Sequence, residues 1–188
     1  FVDNIRVESN PPPVTEPEPI VLQSFEDGTT QGWKVNAADW AGGFAGVNLA
    51  SANATQGSRS LKVDFAGKSF RWGAINEGVS DPAFLDAIKY GGKLLLDLFV
   101  PEESSGIQNL GFAFQQPDVS GALNWQQNWF GVGGQTGHFT IGLPFTRGGT
   151  APVVLHLGQN ATVDQEFTVY LDNLRVLPNP PPPQGVTL

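Results

Sequence analysis

The chain contains no cysteine, so no disulfide can brace the fold, and its stability must come from a hydrophobic core. Hydrophobic residues make up 40% of the sequence, which is enough for one sizeable core. No run of about 18 apolar residues occurs, which argues against membrane insertion through a helix. Helix formers are sparse, whereas Gly 23 and Pro 15 are high. This composition favours short strands joined by turns.

Basic residues are also few. The chain has 10 Lys and Arg against 18 Asp and Glu, a formal net charge of −8. A nucleic-acid partner is therefore not expected, because a phosphate backbone needs a basic patch. The same charge disfavours a strongly anionic polysaccharide. Its plainest interpretation is solubility in an extracellular setting, so we predict a secreted or cell-surface location.

One phrase occurs twice in the sequence. FVDNIRVESNPPP spans residues 1–13, and YLDNLRVLPNPPPP spans residues 170–183, at a constant offset of 169 residues. Each copy is a strand-like run with an Asp-Asn centre, followed by prolines. The repeat predicts a unit of a tandem array. The predicted boundaries are a last strand of a preceding module at 1–7, a Pro-rich linker at 8–19, a domain at 20–177 and a second Pro-rich linker at 178–188.

Within the domain, apolar residues alternate with polar or small ones. This is the pattern of strands with one buried face. The alternating segments are 60–65, 93–100, 109–115, 139–143, 153–157 and 167–171. One short helix is expected after Asp81-Pro82, where Asp81 can cap it and Pro82 suits the first helical position. The predicted fold is all-β: a two-sheet antiparallel β-sandwich, most simply a jelly roll, with one short helix.

Three motifs in order carry a family resemblance: SFEDGTTQGW at 24–33, TQGSRSLKVDF at 55–65 and YLDNLRV at 170–176. Together they resemble the β-sandwich carbohydrate-binding modules of bacterial polysaccharide-degrading enzymes. The resemblance implies a non-catalytic module that holds polysaccharide for an attached enzyme. The middle of the chain, where ligand specificity lies, matches no particular subfamily.

The resemblance also implies a structural calcium ion. In such modules an acid of the first strand and an aspartate of the last strand share the cation, positions that correspond to Glu26 and Asp172 here. Carbonyls near Ser58 and the Asp27 carboxylate are possible additions, and such oxygens suit Ca²⁺. In the alternative interpretation, Glu26 and Asp27 belong to a solvated turn. Asp172 then meets backbone amides or Arg175.

The segment ALNWQQNWFG, residues 122–131, is the sharpest functional signal. If it is extended, Trp125, Gln127 and Trp129 share a face, and the two tryptophans are about 13 Å apart. Indole faces stack on sugar rings, while amides donate to and accept from hydroxyl groups without charge. We therefore predict a polysaccharide site here, with small residues at Gly111 and Ala113 leaving room for the ligand.

Other residues complete the predicted site. The further candidate contacts are Gln115, Asn124, Trp40, Trp72 and Arg71. The competing interpretation is that the tryptophans belong to the core, as we expect for Trp33. His138 and His156 are expected to be ordinary surface histidines.

No pattern of catalytic residues stands out. The chain lacks a tight acid-x-acid constellation on a strand, and Asp97 is alone in its strand. No Ser-His-Asp order or metal-hydrolase motif is visible, so we predict that it is not an enzyme.

Two hypotheses follow. In the first, the module binds a neutral β-linked polysaccharide such as β-glucan or β-mannan and gains avidity from tandem copies. In the second, it is a structural repeat of a surface fibre or adhesin, in which the N-terminal strand pairs with a neighbouring subunit. An exposed aromatic groove favours the first hypothesis, whereas buried tryptophans and an N-terminal strand inserted into a neighbour favour the second.

Overall fold

The computed structural model describes residues 17–38, 46–67, 69–117, 123–147 and 152–181. The predicted preceding strand at 1–7 and most of the first linker lie outside these ranges, as does most of the second linker. Eleven strands and one α-helix are defined within them. In chain order these are β1 Ile20–Gln23, β2 Trp33–Val35, β3 Gly46–Ala50, β4 Ser60–Phe65, β5 Phe70–Val79, α1 Pro82–Ala87, β6 Gly92–Val100, β7 Ile107–Pro117, β8 Leu123–Gly131, β9 Gly137–Phe145, β10 Val153–Ala161 and β11 Phe167–Pro178.

The strands form two antiparallel sheets. The first sheet has the order β3-β4-β11-β6-β9, and β1 pairs with the far half of β11. The second sheet has the order β2-β5-β10-β7-β8. These features confirm the predicted all-β sandwich with one short helix.

The core lies between the two sheets and consists of the apolar positions that alternate along each strand. In β4 the buried apolar positions are Leu61, Val63 and Phe65, as the alternation predicts. Other large side chains of this core are Trp33, Leu94, Leu96, Leu98, Phe112, Phe114, Leu155, Leu157, Val169 and Leu171. Helix α1 begins as predicted: the Asp81 carboxylate accepts a hydrogen bond from the Phe84 amide at 2.8 Å, and Pro82 occupies the first turn.

Strand β10 is buried on both faces, unlike an ordinary strand of a two-layer sandwich. Leu155 and Leu157 point into the core, yet the intervening His156 is also buried. Something must therefore cover the outer face of the second sheet at this strand. The side chains that cover this outer face form the candidate site.

Candidate functional site

Strand β8 carries the outer-face side chains of the site. It lies at one edge of the second sheet and pairs with β7 in an unbroken antiparallel register. Alternate residues of a strand point to the same face, so the predicted trio does share the outer face. Trp125, Gln127 and Trp129 lie opposite Gln115, Ala113 and Gly111, respectively.

Trp72 of β5 joins the two tryptophans of β8. The register between β5 and β10 shifts at this point, where Leu157 pairs with Ala74 and Gln159 pairs with Arg71. The Trp72 ring packs edge-to-face against Trp125 at 5.3 Å and against Trp129 at 4.9 Å between ring centroids. It is 5% exposed. The three indoles therefore form one cluster on the outer face, with Trp72 at its base.

The cluster is more compact than the sequence predicts. Both β8 indoles lie about 5 Å from the Trp72 ring, so their centroids can be about 10 Å apart at most. The expected row of about 13 Å assumed side chains perpendicular to the strand. Here the two rings lean towards each other over Trp72.

Two glycines let the indoles lie against the sheet. A Cβ at Gly111 would stand 2.7 Å from Trp129 Cη2, and a Cβ at Gly158 would stand 2.8 Å from Trp72 Cε3. The space predicted above Gly111 is therefore filled by an indole of the chain itself and is not left for a ligand. The absence of a side chain at these two glycines is what lets the indole rings approach the backbone this closely.

An open groove lies beside the cluster. Its volume is about 440 Å³. Its lining residues are Trp72, Gln115, Trp125 and Gln127. Gln127 is exposed, whereas Trp125 and Gln115 are half-buried. Every lining side chain is uncharged, so the groove offers apolar ring surface and amide hydrogen-bonding groups, with no carboxylate or cation among them.

His156 lies beneath the groove, and the prediction of a surface histidine is wrong for this residue. It is 1% exposed, because the Trp125 ring lies 4.7 Å from the imidazole and the Trp72 ring lies 6.3 Å from it. Burial lowers the pKa of His156 to about 4. Its Nε2 lies 3.3 Å from Gln115 Oε1. The other histidine, His138, is exposed as predicted.

Two predicted contacts do not join the tryptophans. Asn124 precedes Trp125 and points to the opposite face of β8, where it is exposed. Arg71 is buried: its Nε donates to the Ala66 carbonyl at 3.1 Å and its Nη1 donates to the Phe70 carbonyl at 3.3 Å. Desolvation lowers the pKa of Arg71. The arginine therefore supports the backbone before Trp72 and does not present a fork to a ligand. Trp40 lies outside the described residues.

The amides that alternate with the tryptophans close the edge of the sandwich. Gln126 Nε2 donates to the Thr146 carbonyl at 2.8 Å, and the Thr146 amide donates to Gln126 Oε1 at 2.7 Å. This exchange resembles a ladder pair between β8 and the segment after β9. The amide side chains of 122–131 are thus divided between the two faces of β8, and Gln127 is the one that lines the groove.

Glu26 and Asp172, the two carboxylates of the predicted calcium site, both accept hydrogen bonds from the loop 55–59. The Glu26 carboxylate accepts hydrogen bonds from the Ser58 amide at 2.9 Å, the Ser58 hydroxyl at 3.1 Å and the Arg59 amide at 2.7 Å. The Asp172 carboxylate accepts from the amides of Thr55 and Gln56 at 2.7 and 2.8 Å.

These contacts decide how the residues fit a cation. Backbone N–H groups and one hydroxyl donate to each carboxylate, from Ser58 to Glu26 and from Thr55 to Asp172. Hydrogen bonds led by the Ser58 amide lower the pKa of Glu26. Among the described residues, no three Asp, Glu, His or Cys side chains gather in a way that could hold a metal. The donor set as placed does not fit Ca²⁺, which binds oxygens, and the calcium ion stays a prediction.

Asp97 is not isolated, although it is the only acid of its strand. Arg175 Nη1 donates to its carboxylate at 2.7 Å, and Thr140 and Asn173 donate at 2.7 and 2.9 Å. Burial of Asp97 would raise its pKa, but these hydrogen bonds outweigh burial and lower it. Asn173 has a φ of 49° at a register shift in β11, which turns its side chain towards Asp97.

Comparison with known proteins supports the fold. No protein-family model matches the sequence, and no curated protein matches it either. Solved structures do match. A family 28 carbohydrate-binding module specific for non-crystalline cellulose aligns at a TM-score of 0.60, with 17% identity over 92% of this chain and 99% of its own. A family 22 xylan-binding domain from Paenibacillus barcinonensis aligns at 0.57, with 18% identity over 84% of this chain and 94% of its own.

A third structure was solved to explain promiscuous specificity among carbohydrate-binding modules of the β-sandwich superfamily. It aligns at a TM-score of 0.61 and 20% identity, and covers 82% of this chain. This chain spans 60% of that one. At such identities the matches establish the shared β-sandwich fold. In the described part of the chain, no helix has the length and apolarity to cross a membrane.

Proposed function

We propose that this chain is a non-catalytic module that binds a neutral β-linked polysaccharide on the outer face of its second sheet. The observation that carries the proposal is the open groove lined by Trp72, Trp125, Gln115 and Gln127. Indole surface matches the C–H faces of sugar rings, and the amides match their hydroxyl groups. The structural relatives named for xylan and for non-crystalline cellulose support a β-linked ligand.

The charge of the groove supports a neutral ligand. None of the four lining residues is ionisable, and the chain as a whole carries a net charge of −8. A polyanionic glycan would be repelled by this charge and would meet no cation in the groove. β-Glucan, β-mannan and xylan remain within this class.

Buried tryptophans would favour the alternative of a structural fibre repeat. Trp125 and Trp129 are only half-buried, and Trp125 borders open space. This observation favours the binding module. The extracellular location follows from the proposed ligand, because polysaccharides of this kind lie outside the cell.

A tandem context is part of the proposal. In β11, Asp172 anchors the loop at Thr55, and Arg175 and Asn173 bind Asp97. Residues 1–7 repeat this segment with the Asp, Asn and Arg unchanged. We therefore expect residues 1–7 to serve as the same strand in another sandwich of this type.

A strand replacement tests the tandem context. The chain with Tyr170→Phe, Leu171→Val and Leu174→Ile carries FVDNIRV in place of YLDNLRV. If residues 1–7 suit this position, the melting temperature should fall by only a few degrees, as expected for volume-similar substitutions. Aggregation or loss of the cooperative transition would contradict this expectation.

Affinity electrophoresis tests the binding function. The wild-type chain, Trp125→Ala and Trp129→Ala are run through gels that contain xylan, β-glucan or β-mannan. Tyr90→Ala is the matched control, because Tyr90 is an aromatic residue 44% exposed outside the groove. We expect at least one polysaccharide to retard the wild type and Tyr90→Ala, and Trp125→Ala to lose about tenfold in affinity. No retardation of the wild type by any glycan would overturn the function.

A further inference from the structure

The position of His156 makes it more than a core residue. It lies in β10 between Ile75 of β5 and Ala113 of β7, on the face that the tryptophans cover. A buried imidazole needs a hydrogen-bond partner to offset its desolvation. The partner that faces the groove is Gln115, whose Oε1 lies 3.3 Å from His156 Nε2.

The chemistry of this contact fixes the proton. With Gln115 Oε1 towards the ring, this arrangement requires hydrogen on His156 Nε2, because an amide oxygen only accepts hydrogen bonds. Burial holds the pKa of His156 at about 4, so the ring is neutral near pH 7 and has a single N–H. That N–H points to Gln115 Oε1.

The contact also fixes the Gln115 amide. Its oxygen is turned towards the sheet, and its NH₂ group makes no hydrogen bond to any described residue. Gln115 is also one of the four residues that line the groove. The group left to meet a ligand is therefore a donor.

We propose that His156 is a positioning residue: it holds the Gln115 amide with its NH₂ towards the groove, so that the site presents a fixed hydrogen-bond donor to an acceptor oxygen of the glycan. This inference rests on the proposed function. It adds to that function the direction of one hydrogen bond, from Gln115 to the ligand. Gln127 differs, because it is exposed and nothing described holds its amide in one orientation. It can offer either group to the ligand.

The polarity has a consequence for the ligand. A sugar hydroxyl, a methyl ether or a ring oxygen can each accept from a fixed donor. A carbon that has lost its oxygen cannot. We therefore expect the groove to tolerate methylation of the glycan oxygen that meets Gln115 and to reject its removal.

A double-mutant cycle separates positioning from packing. His156→Phe keeps a planar ring under Trp125 but removes the N–H. We expect His156→Phe and Gln115→Ala each to weaken binding of a retained oligosaccharide about fivefold, and the double variant to bind no worse than Gln115→Ala. As the matched pair, His156→Phe combined with Gln127→Ala should show multiplied losses. If His156→Phe costs the same factor in the Gln115→Ala background, the residue acts only by supporting the tryptophans, and the proposal is wrong.

Nitrogen NMR of the glycan-free chain gives an independent readout. The His156 ring should show the tautomer with hydrogen on Nε2, and the Gln115 NH₂ signals should shift in His156→Phe. Hydrogen on Nδ1 instead would overturn the proposal whether or not any glycan binds. If the hydrogen bond is present but the wild type binds no glycan, the positioning role fails together with the proposed function, and the NMR result shows that the function is the part at fault.

Discussion

The outer faces of the two sheets use polar side chains in opposite ways. On the first sheet, Asp97 is surrounded by donors from Arg175, Thr140 and Asn173, so its hydrogen-bonding capacity is used within the protein. On the second sheet, Gln127 and the NH₂ group of Gln115 make no described hydrogen bond and border an open groove. The Asp97 carboxylate is thus committed within the protein, whereas the amides at the groove are available to a ligand.

The comparison separates stability from recognition. A variant that removes a partner of the buried Asp97 carboxylate leaves that charge uncompensated. Variants of the first face should therefore lower the stability of the fold. Gln127 is exposed at the groove and no described residue bonds to its amide, so Gln127→Ala should act on binding and little on stability.

Arg175→Ala should have the largest effect on stability. It leaves the Asp97 carboxylate, which is 10% exposed, without its cation, and we expect a loss of about 3 kcal/mol in the free energy of unfolding. Lys34→Ala is the matched control: its pair with Glu77 has side chains 59% and 54% exposed, so the loss should be well under about 1 kcal/mol. Urea unfolding measures both. A glycan affinity changed in folded Arg175→Ala would break the division between the faces.

Gly111→Ala should affect both stability and glycan binding, because the Trp129 indole lies directly against Gly111. A Cβ would stand 2.7 Å from Trp129 Cη2, so the ring must move, at a cost of about 1–3 kcal/mol. Gly131→Ala, in β8, is the control, since its Cβ would meet only Asn109 Oδ1 at 3.7 Å. We expect weaker glycan retardation and a lower melting temperature for Gly111→Ala alone. Equal retardation and equal melting temperatures for the two variants would show that the close contact between Gly111 and Trp129 is unimportant.

Periodicity explains which part of this division the sequence could predict. Alternation placed the strand in 60–65 and set Trp125, Gln127 and Trp129 on one face, because strand geometry has a period of two. The start of α1 followed from Asp81 and Pro82, whose effects are local. These features depend on neighbours in the chain.

The remaining features depend on contacts distant in sequence. The shift in register between β5 and β10 brings Trp72 onto the β8 indoles, and no local pattern encodes it. His156 seemed a surface residue because alternation gives a face and not what covers it. The sequence did contain a signal. Small residues occur on the strands next to the Trp-rich β8: Gly111, Ala113 and Gly158. Small outward-facing residues beside such a strand indicate that indole rings lie against the sheet.

Acid should weaken the fold through His156 first. Its folded-state pKa of about 4 lies below the usual 6.5, so the unfolded chain binds the proton more tightly. Stability is full above pH 6.5 and falls as the pH drops towards about 4. At about 1.4 kcal/mol per pKa unit, the loss is bounded at about 3 kcal/mol. Glu77, the acid that opposes this shift, is paired with Lys34.

Melting temperatures between pH 7 and pH 4 measure this loss. His156→Phe should lack most of it. Asp97 contributes in a lower window, because its lowered pKa means that its stabilisation disappears only as the pH falls below about 3.8. An identical profile for the wild type and His156→Phe over pH 7 to 4 would contradict the assignment.

The smallest expected effect concerns calcium. Because backbone amides already satisfy Glu26 and Asp172, the hydrogen-bonded arrangement predicts an unchanged melting temperature in excess chelator. A fall of several degrees, reversed by added Ca²⁺ but not by Mg²⁺, would instead establish the ion that the family resemblance implies.

The most direct test of the central claim is amide and indole NMR mapping with the oligosaccharide that the gels select. Saturating ligand should shift the indole N–H signals of Trp125 and Trp129 and the side-chain amide signals of Gln115 and Gln127. The signals of Arg175 and Asn173 on the opposite face should stay in place. Shifts confined to the first sheet, with the tryptophan signals unmoved, would contradict the assignment of the second sheet as the binding face.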